Sequence, residues 1–345
     1  MTATLMPGLG SAALRPVGWQ RLLWVAWRRH RSAVAAVVAL LAGITVYVVI
    51  VGLRTRDAYD AAQSCHPASS AACTFGMQEF QQANAHHVLA TLLMFVPGLI
   101  GTFCGAPILA RELEAGTFRY AWTQGVGRVR WTVAMLVPPA VVLVALGWAF
   151  SVLVGWTYQP LFDSAGASRL DPPMFVLLGV AFAAWTLLAF ALGALAGILL
   201  RRVVPAVVAA LAVWAGLMAL TATKLRPHYE APVVTSSMTG DLRDWTLSQH
   251  WAKGGSPVGD AELNRVLSAI GVHVTNGGYA AHVEAGQKPP QDPVTYLLQH
   301  GYRQLTTYQP HERFWTFQWI EGGWLLLLAV VLLGLTVWFV RRRAA

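Results

Sequence analysis

The chain is 345 residues long, 56% hydrophobic and 12% charged, with 15 Trp, a mean hydropathy of +0.50 and a formal net charge of +9. That balance excludes an ordinary soluble domain, in which charged residues make up roughly a quarter of the chain. Helices buried in a soluble core would also alternate polar and apolar faces, and the long apolar runs of this sequence do not.

In chain order, Gly18–Arg31 is the first predicted element. Trp19, Leu22, Leu23, Ala26 and Trp27 fall on one helical face, and Gln20, Arg21, Arg28 and Arg31 fill the rest. This pattern predicts a basic amphipathic helix lying in the membrane interface, although the same residues could simply extend the first span. Arg28-Arg-His-Arg31 ahead of an apolar run resembles the start of a signal peptide. The run is longer than the usual roughly 7–15 residues, and five more follow, so a permanent helix is expected.

Six uncharged runs are read as membrane-spanning α-helices: Ser32–Leu53, Val88–Ala110, Thr132–Thr157, Met174–Leu200, Val203–Thr223 and the shorter Gly322–Val340. Each approaches or exceeds the roughly 20 apolar residues needed to cross a bilayer. Hydrocarbon cannot satisfy backbone groups, so each run should be helical. Pro97, Pro107 and the Pro138-Pro139 pair are expected to kink their helices. The fold class is therefore an all-α polytopic membrane protein. Its predicted segments are a tail and amphipathic helix over 1–31, five spans over 32–223 with a cytoplasmic loop at 111–131, an extracytoplasmic domain over 224–323, and a last span with a basic tail over 324–345.

Orientation follows from the arginines. With residues 1–31 inside, the short inside segments hold 14 Lys and Arg residues but only two acids, Glu112 and Glu114. Cytoplasmic loops are enriched in basic residues, which places both termini in the cytoplasm. The net positive charge is then a matter of topology and attraction to anionic lipid, with no nucleic-acid footprint.

Of three cysteines, Cys104 lies in the second span and is expected to be a small buried hydrophobe, whereas Cys65 and Cys73 fall in the first external loop. Two external cysteines this close predict a disulfide. His86-His87 at the outer mouth of the second span reads as a solvated interface pair, and the ten histidines show no metal-ligand spacing. Within the long external segment, Asp260–Ile270 reads as a helix, Asn276-Gly-Gly278 as a turn, and Asp292-Pro as a second capped helix start. The aromatic-rich return, Tyr308–Glu321, is either an interfacial belt or a re-entrant gating element.

No catalytic motif is present, and no acid is expected inside a span. The three lysines, Lys224, Lys253 and Lys288, are all expected outside, so none could cradle a cytoplasmic nucleotide phosphate. An ATP-driven process would need a second chain to bind and hydrolyse the nucleotide.

Three stretches carry a resemblance: Ala106-Pro-Ile-Leu-Ala-Arg-Glu-Leu-Glu-Ala-Gly-Thr117, Ala121-Trp-Thr-Gln124 with Gly127-Arg128, and Tyr308-Gln-Pro with Arg313-Phe-Trp. With the six-span layout, they resemble the membrane subunit of an ATP-binding-cassette exporter of the type-2 permease family, in its actinobacterial form. An excess of Arg over Lys, 22 to 3, suits that assignment. The resemblance implies a permease of the bacterial cell membrane that docks a separate ATP-binding subunit and works beside a second permease copy or paralogue. It implies no cofactor in this chain, with ATP and Mg²⁺ held by the partner. The implied coupling helix covers 111–124, and the docking residues are Arg111, Glu112, Glu114, Gly116, Thr117, Arg119, Gln124 and Arg128.

Glu112 and Glu114 are expected near a helix start, where they either meet an arginine of the partner or neutralise arginines of their own loop. A path suited to an amphipathic drug or lipid has Met94, Phe95, Phe103, Trp214 and Met218 as candidates, though such residues more often serve helix packing or lipid contact. Two other classes fit the composition. One is a sensor or anchor subunit that binds a ligand outside. The other is a polytopic enzyme with its site in the external segment.

Overall fold

The computed structural model describes residues 18–64, 87–116, 127–164, 167–236, 241, 243–275, 278–281 and 292–343. Cys65, Cys73, His86, Asn276, Thr117, Arg119, Gln124 and Lys288 lie outside the described residues, as does the Ala121-Trp-Thr-Gln stretch. Six of the described helical segments are long and apolar enough to cross a membrane, and the chain is a multi-pass membrane protein.

The first helix, α1, runs unbroken over Trp19–Gln63, so the amphipathic segment and the first span are one element. No Pro occurs in it and its first Gly is Gly43, so nothing interrupts the hydrogen-bond ladder where a separate interfacial helix was expected. Leu22 and Ala26 face inward, one turn apart, while Trp19, Leu23 and Trp27 face out. Near its other end α1 is fastened to the third span: the Arg56 guanidinium lies 4.2 Å from the Trp156 ring centre and donates to the Trp156 carbonyl.

The second span is two pieces, α2 (His87–Leu93) and α3 (Val96–Glu114), separated by a turn at Met94-Phe95 just ahead of Pro97. Pro97 occupies the first turn of α3, where its missing N–H costs nothing. The third span, α4, extends over Arg128–Asp163 and carries Pro138, Pro139 and Pro160 without a break in the helix. The fourth is again divided, into α5 (Pro172–Leu177) and α6 (Ala181–Leu200). Gly179, with φ +60°, makes the division, and the side chain of Gln318 occupies the place a Cβ there would need. The fifth, α7 (Val203–Leu220), passes into a π-helical turn over Thr221–Leu225 and a 3₁₀ turn over Arg226–His228. The last, α10, spans Phe314–Arg343, starting eight residues before the predicted apolar run.

The tightest pairing is α3 against α6. Each carries a Gly-x-x-x-Gly pair, Gly101/Gly105 and Gly193/Gly197. A Cβ on Gly105 would stand 2.2 Å from the Phe190 carbonyl oxygen, one on Gly101 2.4 Å from that of Thr186, and one on Gly197 2.6 Å from that of Ala106. These are backbone atoms that cannot swing aside. Apolar helices in hydrocarbon gain nothing from hiding from water, so close backbone approach and dispersion hold such a pair.

The long segment between α7 and α10 folds as a sheet domain. Strands β1 (Val233–Thr235), β2 (Trp245–Lys253), β3 (Ser256–Val258) and β6 (Tyr302–Gln309) form an antiparallel sheet in the order β1-β6-β2-β3. A separate antiparallel pair joins β4 (Val272–Thr275) to β5 (Gly278–Ala281). Two short helices complete it. The expected element at Asp260 is α8 (Asp260–Leu267), ending in a 3₁₀ turn, and Asp292 caps α9 (Pro293–Gln299) by accepting from the Thr295 N–H at 2.9 Å. Leu263, Leu267, Val272, Leu297, Trp251 and Tyr302 make its small core. Strand β6 leads through a turn at His311–Arg313 directly into α10, so Tyr308–Glu321 is not a re-entrant loop.

Gly105→Ala should cost about 1–3 kcal/mol or more by forcing α3 off α6. Gly43→Ala, where nothing lies within 4 Å, should be neutral or stabilise α1. Thermal unfolding of the detergent-solubilised protein checks the contrast, and equal behaviour of the two variants would refute the packing assignment.

Candidate functional site

The helices present two ends, one bearing the sheet domain and one free of it. The free end gathers the start of α1, the end of α3, the start of α4, the Arg201-Arg202 turn between α6 and α7, and the end of α10. Arg201 closes α6 in the left-handed region, φ 56°, which a side chain adopts only with strain. That tight turn leaves both guanidinium-bearing residues exposed at the rim.

Glu112 and Glu114 belong to the last turn of α3, not to a helix start, because the second span continues into this end before stopping at Ala115 and Gly116. Gly116, at φ +69°, supplies the left-handed turn that takes the chain away from the helix. The two acids differ. Glu112 is buried and ion-paired with Arg29 of α1. Glu114 is exposed, with one carboxylate oxygen 3.4 Å from the Val203 N–H at the start of α7, where the helix dipole favours an anion. Arg111 is also exposed and Arg128 is half-buried. Arg130 rests 4.6 Å from the centre of the Trp19 ring, and with Arg128 and Arg341 it borders an open basic hollow. Arg111, Glu114, Gly116 and Arg128 thus share one rim, while Glu112 turns inward from it.

The five candidate path residues do not line one surface of the chain. Trp214 and Met218 are buried, whereas Phe103 is 58% exposed and Phe95 also faces outward, with Met94 packed at the core's edge. Trp214 covers Gly98 of α3 and meets Trp185 edge-on at 5.8 Å, so it serves packing. Cys104 is half-buried on α3.

The sheet-bearing end holds a cluster that the sequence reading missed. Arg226 and Glu321, both 0% exposed, form a bidentate pair at 2.9 and 2.8 Å. Glu321 also accepts from the Trp185 indole at 2.9 Å and the Tyr229 hydroxyl at 3.2 Å, and Trp324 donates to Tyr229 at 3.1 Å. The guanidinium lies 4.1 Å from the Phe175 ring centre, and its Nη1 has no hydrogen-bond partner. One turn earlier, buried Gln318 bridges the α5–α6 break: it donates to the Phe175 carbonyl at 3.0 Å and accepts from the Ala181 N–H at 2.9 Å. Ser151 of α4 donates to the Gly179 carbonyl at 3.0 Å, completing the repair. Charged groups are tolerated in an apolar bundle when they pair and face its interior.

A sequence signal for this cluster exists. In Phe314-Trp-Thr-Phe-Gln-Trp-Ile-Glu321 the polar Gln318 and Glu321 share a face with Phe314 and Phe317, all buried, while Trp315, Trp319 and Ile320 face out. A helix with its polar side inward and its Trp side outward is reading a membrane, and α10 could have been started at Phe314 on that ground.

A family model described as ABC-2 membrane transporter related matches residues 38–226. No curated protein and no solved structure matches the chain.

Glu321→Gln leaves the Arg226 charge buried against a neutral amide and should destabilise the protein by about 3–5 kcal/mol. Adding Arg226→Met to Glu321→Gln should restore part of that loss, since the stranded charge is then gone. Unfolding midpoints of the single and double variants test this, and a single variant as stable as the parent would sink it.

Proposed function

The chain belongs to the ABC-2 membrane transporter related family of permease-type, non-catalytic membrane subunits, and we propose that it is the permease of an ATP-driven exporter. The family is generally partnered with an ATP-binding subunit. In this reading the sheet-free end faces the cytoplasm with both termini, and the sheet domain lies outside. The docking surface is the rim of Arg111, Glu114, Gly116 and Arg128, continued through Thr117, Arg119 and Gln124. ATP and Mg²⁺ belong to the partner, and a second permease copy or paralogue completes the path.

The observation that carries the reading is the exposed tip of α3. It offers an exposed acid, Glu114, beside Arg111 where α3 ends. Carboxylates at such a tip can form charge-assisted bonds with a guanidinium of another subunit. Lys224 and Lys253 both lie at the sheet-bearing end, so neither is at the rim to cradle a nucleotide phosphate as a P-loop lysine does. The buried cluster supports the transport reading differently. It ties α10 and the end of α7 to α6, so the sheet domain is fastened to the helices of the bundle.

Glu112 is committed to Arg29, so Glu114 is the cleaner probe of docking. Glu114→Lys should abolish or strongly reduce co-purification of the ATP-binding subunit while the chain still inserts and unfolds at an unchanged temperature. Undiminished assembly with the partner would remove the rim from the docking surface.

A further inference from the structure

On the face built by α4, α6 and α10, two hollows run end to end and share Trp148. The first, about 520 Å³, is walled only by apolar side chains, among them Val141, Ala145, Leu187 and Leu333. The second, about 200 Å³, continues toward the sheet-bearing end past Trp315 and closes on Gln159 and Arg169. Together they make a recess with an apolar body and a cationic head, within the roughly 300–1,000 Å³ of small-molecule sites.

Arg169 is the decisive group. It is half-buried, its guanidinium lies 4.9 Å from the Phe162 ring centre, and it donates to the Gln159 side-chain oxygen at 3.2 Å. Among the described residues no carboxylate stands within ion-pair distance of it. The other basic side chains around the small cavity behind it are engaged: Arg243 with Asp241 at 2.7 Å, and His311 with Asp244 at 2.9 Å. Arg243 holds the Asp241 carboxyl down to about 2. Asp163 accepts from the Gln159 amide at 2.8 Å, so that amide stands between the acid and Arg169. A guanidinium has five N–H donors, and the bond to the Gln159 oxygen leaves others free to meet an anion.

We propose that this recess binds one membrane phospholipid, with an acyl chain along α4, α6 and α10 and an anionic headgroup on Arg169. A phosphate or similar anion would receive the guanidinium fork bidentately. Trp315, exposed where the smaller hollow runs toward Arg169, is of the residue type that gathers at membrane interfaces. Lipid merely coating the helices would exchange without regard to headgroup, and the terminal cation makes this recess selective. The inference stands apart from docking and export, since it concerns a different face.

The test is native mass spectrometry of the full chain released from nanodiscs containing equal phosphatidylglycerol and phosphatidylcholine. One retained phosphatidylglycerol per chain is expected. Arg169→Gln should lower its retention about tenfold, the worth of one hydrogen bond to a charged group, and Arg169→Lys should fall between. Ala145→Trp fills the apolar body from the exposed side and should exclude the lipid without changing the unfolding temperature. Retention that ignores headgroup, survives Arg169→Gln, or survives Ala145→Trp would overturn the assignment.

Discussion

A hydrocarbon surrounding gives two apolar helices no reason to associate, so the α3–α6 pair depends on how closely its backbones can meet. Four glycines permit that approach, and the rest of the bundle is arranged on it. With α3 and α6 in contact, Trp214 of α7 can lie over Gly98 and donate to the Trp185 carbonyl at 3.2 Å. Trp185, so held, turns its own indole toward Glu321. The buried pair of Arg226 and Glu321 is thus the last link of a chain that begins with the absence of side chains on α3.

That pair answers a second constraint. Residues 178–180 break a helix inside an apolar bundle, where an open backbone group has no water to turn to. Gln318 and Ser151 fill the gap, and the polar face of α10 that bears Gln318 also bears Glu321. One helix face therefore repairs the broken span and neutralises a buried arginine. The sheet domain is seated beside that pair, because Gln309 at the end of β6 donates to the Pro227 and Glu230 carbonyls at 2.9 and 2.8 Å.

The spans themselves were legible in the sequence, since a run of uncharged apolar residues has few physical outcomes other than a membrane helix. Their ends were less so. Glu321 looked external because a lone acid normally stops a span, and only its partner Arg226, 95 residues away in the chain, makes it tolerable inside. Gly179 could not be told from an ordinary packing glycine, as its break is repaired by Gln318 from another helix. The acids at 112 and 114 were visible as a pair, but their separation into one inward and one outward group depends on where Arg29 lies. In the sheet domain, the caps at Asp260 and Asp292 could be read locally, whereas strands as short as Val233–Thr235 exist only through their pairing with β6.

α1 has 45 residues and is therefore about 68 Å long at 1.5 Å per residue, roughly twice the thickness of the hydrocarbon layer. It is pinned near one end by Arg29 to Glu112 and near the other by Arg56 to Trp156. An α-helix resists compression along its axis, so these attachments, about 40 Å apart, cannot travel independently. The helix is a strut. A push on the tip of α3 at one membrane surface must either break the Arg29 clasp or be delivered, through a rigid rod, to the foot of α4 at the other.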